Sequence, residues 1–269
     1  MLVSIIIPSY KPEKWIWKCL DSIKEQTLSK NLFEIIIVLN GCNEPYQTQI
    51  KKFINLSLYD YNVILVQTDK GGVSNARNIG LNISSGEYIT FIDDDDYISS
   101  TFLDELLKES INNDIIISNT FSFDDVTGQI DENYDIHLAF NKLCHEVKTI
   151  NNTRKFFSGP VMKLIHKSVL EGFTFDESFK NGEDSLFMFL ISKNIKHIGQ
   201  SSSFAIYFRR NRVGSAVSRM LSRKYVLQNR IKLIYEYTKI YFGDFGKYDT
   251  CFYMTRILAS IKVIIQSIK

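Results

Sequence analysis

The sequence predicts an α/β fold: a doubly wound, mainly parallel sheet flanked by helices, followed by a helical C-terminal extension. Short runs rich in Ile and Val alternate with helix-period segments through the first half of the chain. Those runs are continuous in apolar character, as strands covered on both faces are. No segment reaches the ~20 apolar residues needed to cross a bilayer. Residues 2–7, 33–39, 61–67 and 88–92 are the expected strands. Between the first two, Pro12 is placed to open a helix from its first turn, with Trp15/Ile16, Cys19/Leu20 and Ile23 recurring at helical spacing. Val73, Ala76, Ile79/Gly80 and Ile83 mark the next helix, which Ser84-Ser85-Gly86 closes. An alternating stretch from Phe204 to Phe208 reads as a strand leading into Arg209-Arg210-Asn211-Arg212.

Beyond residue 218 the pattern is helical, through Tyr225, Leu227, Ile231, Ile234 and Tyr235 to the closing RILASIKVIIQSIK. Arg256, Lys262 and Lys269 make that last helix basic and amphipathic, able to lie on an anionic membrane surface. Packing on its own domain or against a second copy, as a homodimer, is the more usual fate of such a helix. Either way the protein is peripheral.

At 45% hydrophobic and 13% aromatic, a chain of 269 residues builds a sizeable core. A net charge of +2 gives no overall field for a nucleic-acid partner. Cys19, Cys42, Cys144 and Cys251 lack both CxxC pairing and zinc spacing, so a reducing cytoplasm is the expected setting. Met1 leads directly into LVSIIIP, without a basic region or a cleavage site of signal-peptide type.

The charge is local. The run ITFIDDDDY ends an apolar strand at Asp93, Asp94, Asp95 and Asp96, where ligands bind in open α/β sheets. One aspartate there would fit a helix N-cap or a solvated turn. Four in succession repel one another, so a cation is expected among them. Carboxylate oxygens favour Mg²⁺ or Mn²⁺ over zinc, and such ions keep positions open for phosphate, which implies a nucleoside diphosphate ligand.

In order, VSIIIPSYKPEKWIWKCLDSIKEQ, FEIIIVLNG, GGVSNARNIG and GEYITFIDDDDY, continued by GPVMKLIHKSVL, NGEDSLF and YFRRNRVGSAVS, resemble the family 2 glycosyltransferases of GT-A fold, of the bacterial surface-polysaccharide or lipooligosaccharide type. The resemblance spans about residues 2–218. It implies a transferase domain over 1–218, with a nucleotide-binding half to about residue 110 and an acceptor half beyond it, and a separate helical segment over 219–269. It implies that Asp95 is the direct metal ligand and that Asp93 faces the ribose or the metal's water shell, with Asp94 beside them. Pro8 and Tyr10 match positions lining the nucleoside, and Arg77 matches an arginine near the nucleotide. Where many members carry DDGS, this chain has Leu39-Asn40-Gly41-Cys42. The acid that reads the base is therefore replaced by Asn40, whose amide can still donate and accept. UDP is expected ahead of GDP or a deoxynucleotide.

Asp184 begins an apolar helical segment, where an acid alone would be read as complementing the helix dipole. With the upstream motifs, Asp184 is the expected base for the acceptor hydroxyl, and Glu183 holds the acceptor or orients Asp184. Arg210, Arg212 and Ser215 are expected in a loop that clamps the diphosphate. The resulting expectation is a metal-dependent, inverting transfer of a hexose from a nucleotide sugar to a surface glycan or lipid-linked saccharide. A decayed nucleotide- or glycan-binding protein is the alternative. A sugar nucleotidyltransferase fits less well, because SYKPEKW stands where that chemistry needs a glycine-rich basic loop.

Overall fold

The computed structural model describes residues 1–144, 146–211 and 222–268. Its first half alternates strand and helix: β1 (Val3–Ser9), α1 (Trp15–Lys24), β2 (Phe33–Asn40), α2 (Tyr46–Ser57), β3 (Val63–Thr68), α3 (Val73–Ile83) and β4 (Tyr88–Phe91). Then come β5 (Tyr97–Ile98), α4 (Phe102–Lys108), β6 (Ile115–Ile117), β7 (Asn119–Asp124), β8 (Ile130–Asp131), α5 (Asp135–Lys142) and α6 (Ile150–Thr153). The chain continues through β9 (Lys163–His166), α7 (Lys167–Leu170), α8 (Glu183–Ile191), β10 (Ile198–Gln200), β11 (Ile206–Asn211), α9 (Arg223–Gly243) and α10 (Thr250–Ile268).

Seven strands form one sheet in the order β10-β6-β9-β4-β1-β2-β3. All run parallel except β9, which is antiparallel to both β4 and β6. Every residue of β1 and β2 is buried, so their largely apolar runs reflect helices on both faces. β3 departs from that expectation. It is the sheet edge and only half-buried along its length. A second sheet, β5-β11-β7-β8, stands beside the acidic turn.

Strand order reverses at β1, whose neighbours are β2 on one side and β4 on the other, and a crevice opens there. The α3 helix lies close on β1. A Cβ added at Gly80 would come within 2.4 Å of Ile6 Cγ2, so only glycine permits this approach. The α1 helix begins at Trp15, three residues after the expected opening at Pro12. Lys11 has a left-handed backbone (φ 47°), which turns the chain away from β1 and leaves Pro12 in the connection.

The C-terminal helices pack onto the sheet domain. Leu233 and Tyr237 of α9 are buried against the start of α8, and Phe252 of α10 is buried beside Phe157 and Phe189. Arg256, expected on a basic face, instead donates to the carbonyls of Arg154 and Phe157. Met254, Leu258, Ile261 and Ile265 leave an exposed apolar row along α10. Among the described residues no helix is long and apolar enough to cross a membrane.

Candidate active site

A cleft of about 960 Å³ opens over the carboxyl ends of β1, β2 and β4. Pro8, Tyr10, Asn40 and Gly41 line it on the β2 side, and Gly159, Met162, Glu183 and Asp184 on the β9 and α8 side. Arg77, Asp93, Asp94, Asp95 and Arg210 also line it. Every expected site residue that is described therefore borders one cavity. Arg212 and Ser215 lie outside the described residues.

On the β2 side the backbone is drawn tight. Gly41 is left-handed (φ 63°), and a Cβ there would lie 2.7 Å from the Gly71 Cα, so two glycine turns meet where other side chains would keep them apart. Asn40 is buried and its amide is engaged at both ends. Nδ2 donates to the Ser9 carbonyl at 2.7 Å, and Oδ1 accepts from the Gly72 N–H at 2.9 Å. Asn40 thus ties β1, β2 and the Gly72 turn together while it lines the cleft. The Tyr10 ring, 55% exposed, is free to cover a flat ligand.

The four aspartates have separate partners. Asp93 accepts from Arg77 at 3.0 Å, and Asp94 accepts from the Ser9 hydroxyl at 2.6 Å. Asp95 lies 3.6 Å from Arg210. Asp96 is buried, accepting from the Tyr207 hydroxyl at 2.6 Å and from the Arg210 N–H at 2.7 Å. Burial, then the charges of Asp93 and Asp95, push the Asp96 carboxyl well above its usual range. Much of the repulsion expected of the run is answered by the protein's own donors and cations.

Arg210 is a fixed cation behind Asp95. Its Nε donates to Asp125 at 2.7 Å, its guanidinium lies 4.9 Å from the Trp15 ring, and its side chain is 5% exposed. Held this way behind the acidic turn, Arg210 still borders the cleft where a diphosphate clamp is expected of it. Arg209 reaches the cleft and donates to the Tyr134 hydroxyl at 3.0 Å.

Arg77, on α3, links the two acidic regions. Nη1 donates to Asp184 at 2.5 Å and Nη2 to Asp93 at 3.0 Å, with the guanidinium over the Phe175 ring. One guanidinium thus binds the turn after β4 to the head of α8. Gly182, left-handed (φ 91°), is the residue that caps α8 and turns Glu183 and Asp184 into its first turn. Burial raises the Asp184 carboxyl above its ordinary value against the pull of Arg77. Glu183 is 7% exposed, its Oε2 has no hydrogen-bond partner, and burial followed by the Asp184 charge pushes it up to about 7.

Lys163 was not marked out by the sequence. It opens β9 fully buried and donates through Nζ to the carbonyls of Gly159 at 2.6 Å and Val161 at 2.5 Å. Burial lowers it to about 7, against the attraction of Asp184. His166, at the far end of β9, packs edge-on to Tyr88 and is not among the residues lining the cleft.

For a divalent ion, the donor set is hard carboxylate oxygen from a short turn. Among the described residues no three His, Cys, Asp or Glu side chains converge on a common point. An ion held here would take one or two protein oxygens and complete its shell with phosphate and water, the coordination that Mg²⁺ accepts.

A doubly wound sheet with a crevice at its switch point, an acidic turn there, and Glu183 and Asp184 across from it place the chain among the α/β proteins that bind ligands beyond the carboxyl ends of their strands. The chain belongs to glycosyl transferase family 2, whose model matches residues 4–173. It is 30% identical over 240 residues to the glycosyltransferase GlyA of Streptococcus pneumoniae, covering 83% of this chain and 32% of GlyA. Against the poly(ribitol-phosphate) beta-N-acetylglucosaminyltransferase TarS of Staphylococcus aureus it is 27% identical, covering 81% of this chain and 37% of TarS. The chain thus spans about a third of the length of these relatives. Its fold matches TarS 1-349 in complex with UDP-GlcNAc (TM-score 0.70, 22% identity, all of this chain and 72% of that one). It also matches the mannosyltransferase PcManGT from Pyrobaculum calidifontis in complex with GDP-Man and Mn²⁺ (TM-score 0.63, 15% identity, 99% and 72%).

Proposed function

We propose that the chain is an inverting, metal-dependent glycosyltransferase that moves a hexose from a UDP-sugar to a hydroxyl of a surface glycan or lipid-linked saccharide. The observation that carries this reading is the Arg77 bridge, which sets Asp93 of the acidic turn and Asp184 of α8 on two amino groups of one guanidinium. Family membership supports sugar transfer, and the UDP-GlcNAc complex of TarS supports the donor. The polymer in the TarS name supports a hydroxyl-bearing surface polymer as acceptor.

In this reading Tyr10 covers the base and the Gly41 turn admits the nucleoside. Asp95, with Asp93 beside it, would hold Mn²⁺ or Mg²⁺, which when bound supplies positive charge to the departing diphosphate. Asp184 removes the proton from the acceptor hydroxyl. The oxygen forms its bond to the anomeric carbon from the face opposite the diphosphate as the bond to the phosphate oxygen breaks, and UDP departs with the bonding electrons. A carboxyl raised by burial is a better base near neutral pH than an exposed aspartate. Glu183, raised to about 7, retains a proton part of the time at neutral pH and can donate a hydrogen bond that orients the acceptor or Asp184.

The test is nucleotide release from a panel of UDP-, GDP-, CMP- and dTDP-sugars with Mn²⁺, Mg²⁺ or chelator, in the wild type, Asp95→Ala and Asp184→Asn. The expected result is metal-dependent UDP release abolished in both variants, with Asp184→Asn still binding donor. Donor binding without turnover in the wild type, with acceptor present, favours the decayed-site alternative. Failure to bind any donor overturns the proposal.

A further inference from the structure

Lys163 is a buried amine that, among the described residues, donates to two uncharged groups, the carbonyls of Gly159 and Val161. Those residues belong to the turn that walls the cleft beside Asp184. Ser158, Gly159, Val161 and Met162 line the cavity, and a Cβ at Gly159 would lie 3.7 Å from Asp184 Oδ2. The turn is strained at Met162, a non-glycine residue with φ 67°. Its carbonyl is held by both the N–H and the hydroxyl of Ser118 at 3.0 Å. Burying an ammonium is costly unless its charge has use, since a methionine would fill the same slot. Asp184 borders the turn that Lys163 tethers, on the Gly159 side.

We propose that Lys163 is a positioning residue for the transfer reaction: its buried amine pins the Gly159–Met162 wall and, when protonated, sets a positive charge behind the turn that borders Asp184. This rests on the reading of Asp184 as the base. Asp184 is faced by Arg77 from α3, Asp93 from the turn after β4, Glu183 from its own helix and Lys163 from β9. Arg77 fixes the carboxylate through a hydrogen bond. Lys163 acts through the wall and through charge. Losing that charge leaves less to favour the ionised carboxylate, so Asp184 must titrate at higher pH in a neutral variant.

The experiment compares Lys163→Met, which keeps length and removes charge and donors, with Lys163→Gln, which keeps an N–H donor without the charge. The Asp184 titration is followed by carboxyl-¹³C NMR of aspartate-labelled protein, assigned with Asp184→Asn. Both variants are expected to move the Asp184 midpoint upward by about half a pH unit. Hydrogen exchange at residues 159–163 is expected to quicken most in Lys163→Met. Under turnover, the acid limb of kcat/KM moves by the same amount, and acceptor KM rises about fivefold while donor affinity holds. An unmoved Asp184 midpoint together with unchanged exchange overturns the role, whatever the enzymatic result. Conversely, a moved midpoint in a chain that turns over no donor upholds the Lys163–Asp184 coupling and sinks the transferase reading.

Discussion

Glu183→Gln is expected to make the protein more stable at pH 8 and to leave it nearly unchanged at pH 4. In the folded chain the Glu183 carboxyl lies at about 7, against an ordinary 4.5, because burial and then the Asp184 charge disfavour its ionised form. A folded-state value raised above the unfolded one means that the native protein holds its proton longer. Stability is then lost as pH rises from about 4.5 through about 7, and stays lost above. The full gap is worth about 3 kcal/mol. Because Asp184 titrates with it and shares the repulsion, about 2 kcal/mol is expected for the substitution at pH 8. Glutamine keeps the shape, cannot ionise, and offers an N–H where Oε2 has no partner. Urea unfolding at pH 4, 6 and 8 reads this directly. An equal effect at all three pH values, or destabilisation that grows with pH, would show that Glu183 is not held against its own charge. Activity is expected to fall while stability rises, the pattern of a site that carries strain for function.

Arg77→Met removes the cation shared by Asp93 and Asp184 and should cost about 2 kcal/mol at pH 8, below the usual toll for a fully buried pair because both acids are partly exposed. The penalty should shrink at pH 5 as Asp184, raised by burial, takes up a proton, and a urea titration at the two pH values checks it. Tyr207→Phe leaves Asp96 short of one donor and the Asp93 N–H short of its acceptor, for an expected loss of about 1–3 kcal/mol in the same assay. Gly41→Ala forces a Cβ onto Gly71 at a left-handed position, so UDP affinity measured calorimetrically should drop at least tenfold while the melting temperature falls by only a few degrees.

The sheet was legible because β1, β2 and β4 are central and buried on both faces, so long apolar runs fill them and even their polar residues, such as Ser4, Glu34 and Thr90, are buried. The α2 helix carried no such signal. It lies over the sheet edge with Ile50 as its only fully buried side chain, and Thr, Gln and Lys fill much of the rest. At the site, residues supplied by one motif were legible, whereas pairings made across the chain were not. Arg210 meets Asp125, 85 residues away, and Arg77 meets Asp184, 107 away. Lys163 stayed hidden for the opposite reason. Its partners are backbone carbonyls two and four residues earlier, and a carbonyl has no sequence signature.

The C-terminal helices read from sequence as an appendage, yet α9 meets the segment that aims Asp184. Asn229 donates to the Asn181 carbonyl at 2.9 Å, Lys232 to the Ser178 hydroxyl at 2.7 Å, and Tyr237 shares a 2.8 Å bond with Ser185. Leu233 lies so close to Gly182 that a Cβ there would come within 2.5 Å of it. The left-handed residue that starts α8 is thus backed by α9. Leu233→Ala should open a cavity behind Gly182 at a cost of about 2–4 kcal/mol. Because the slack falls under Asp184, the proposed base, and away from the nucleoside side, kcat should fall about tenfold with donor affinity unchanged, measured well below the melting temperature. A Leu233→Ala protein with reduced stability and wild-type kcat would show that α9 supports the fold without setting the base.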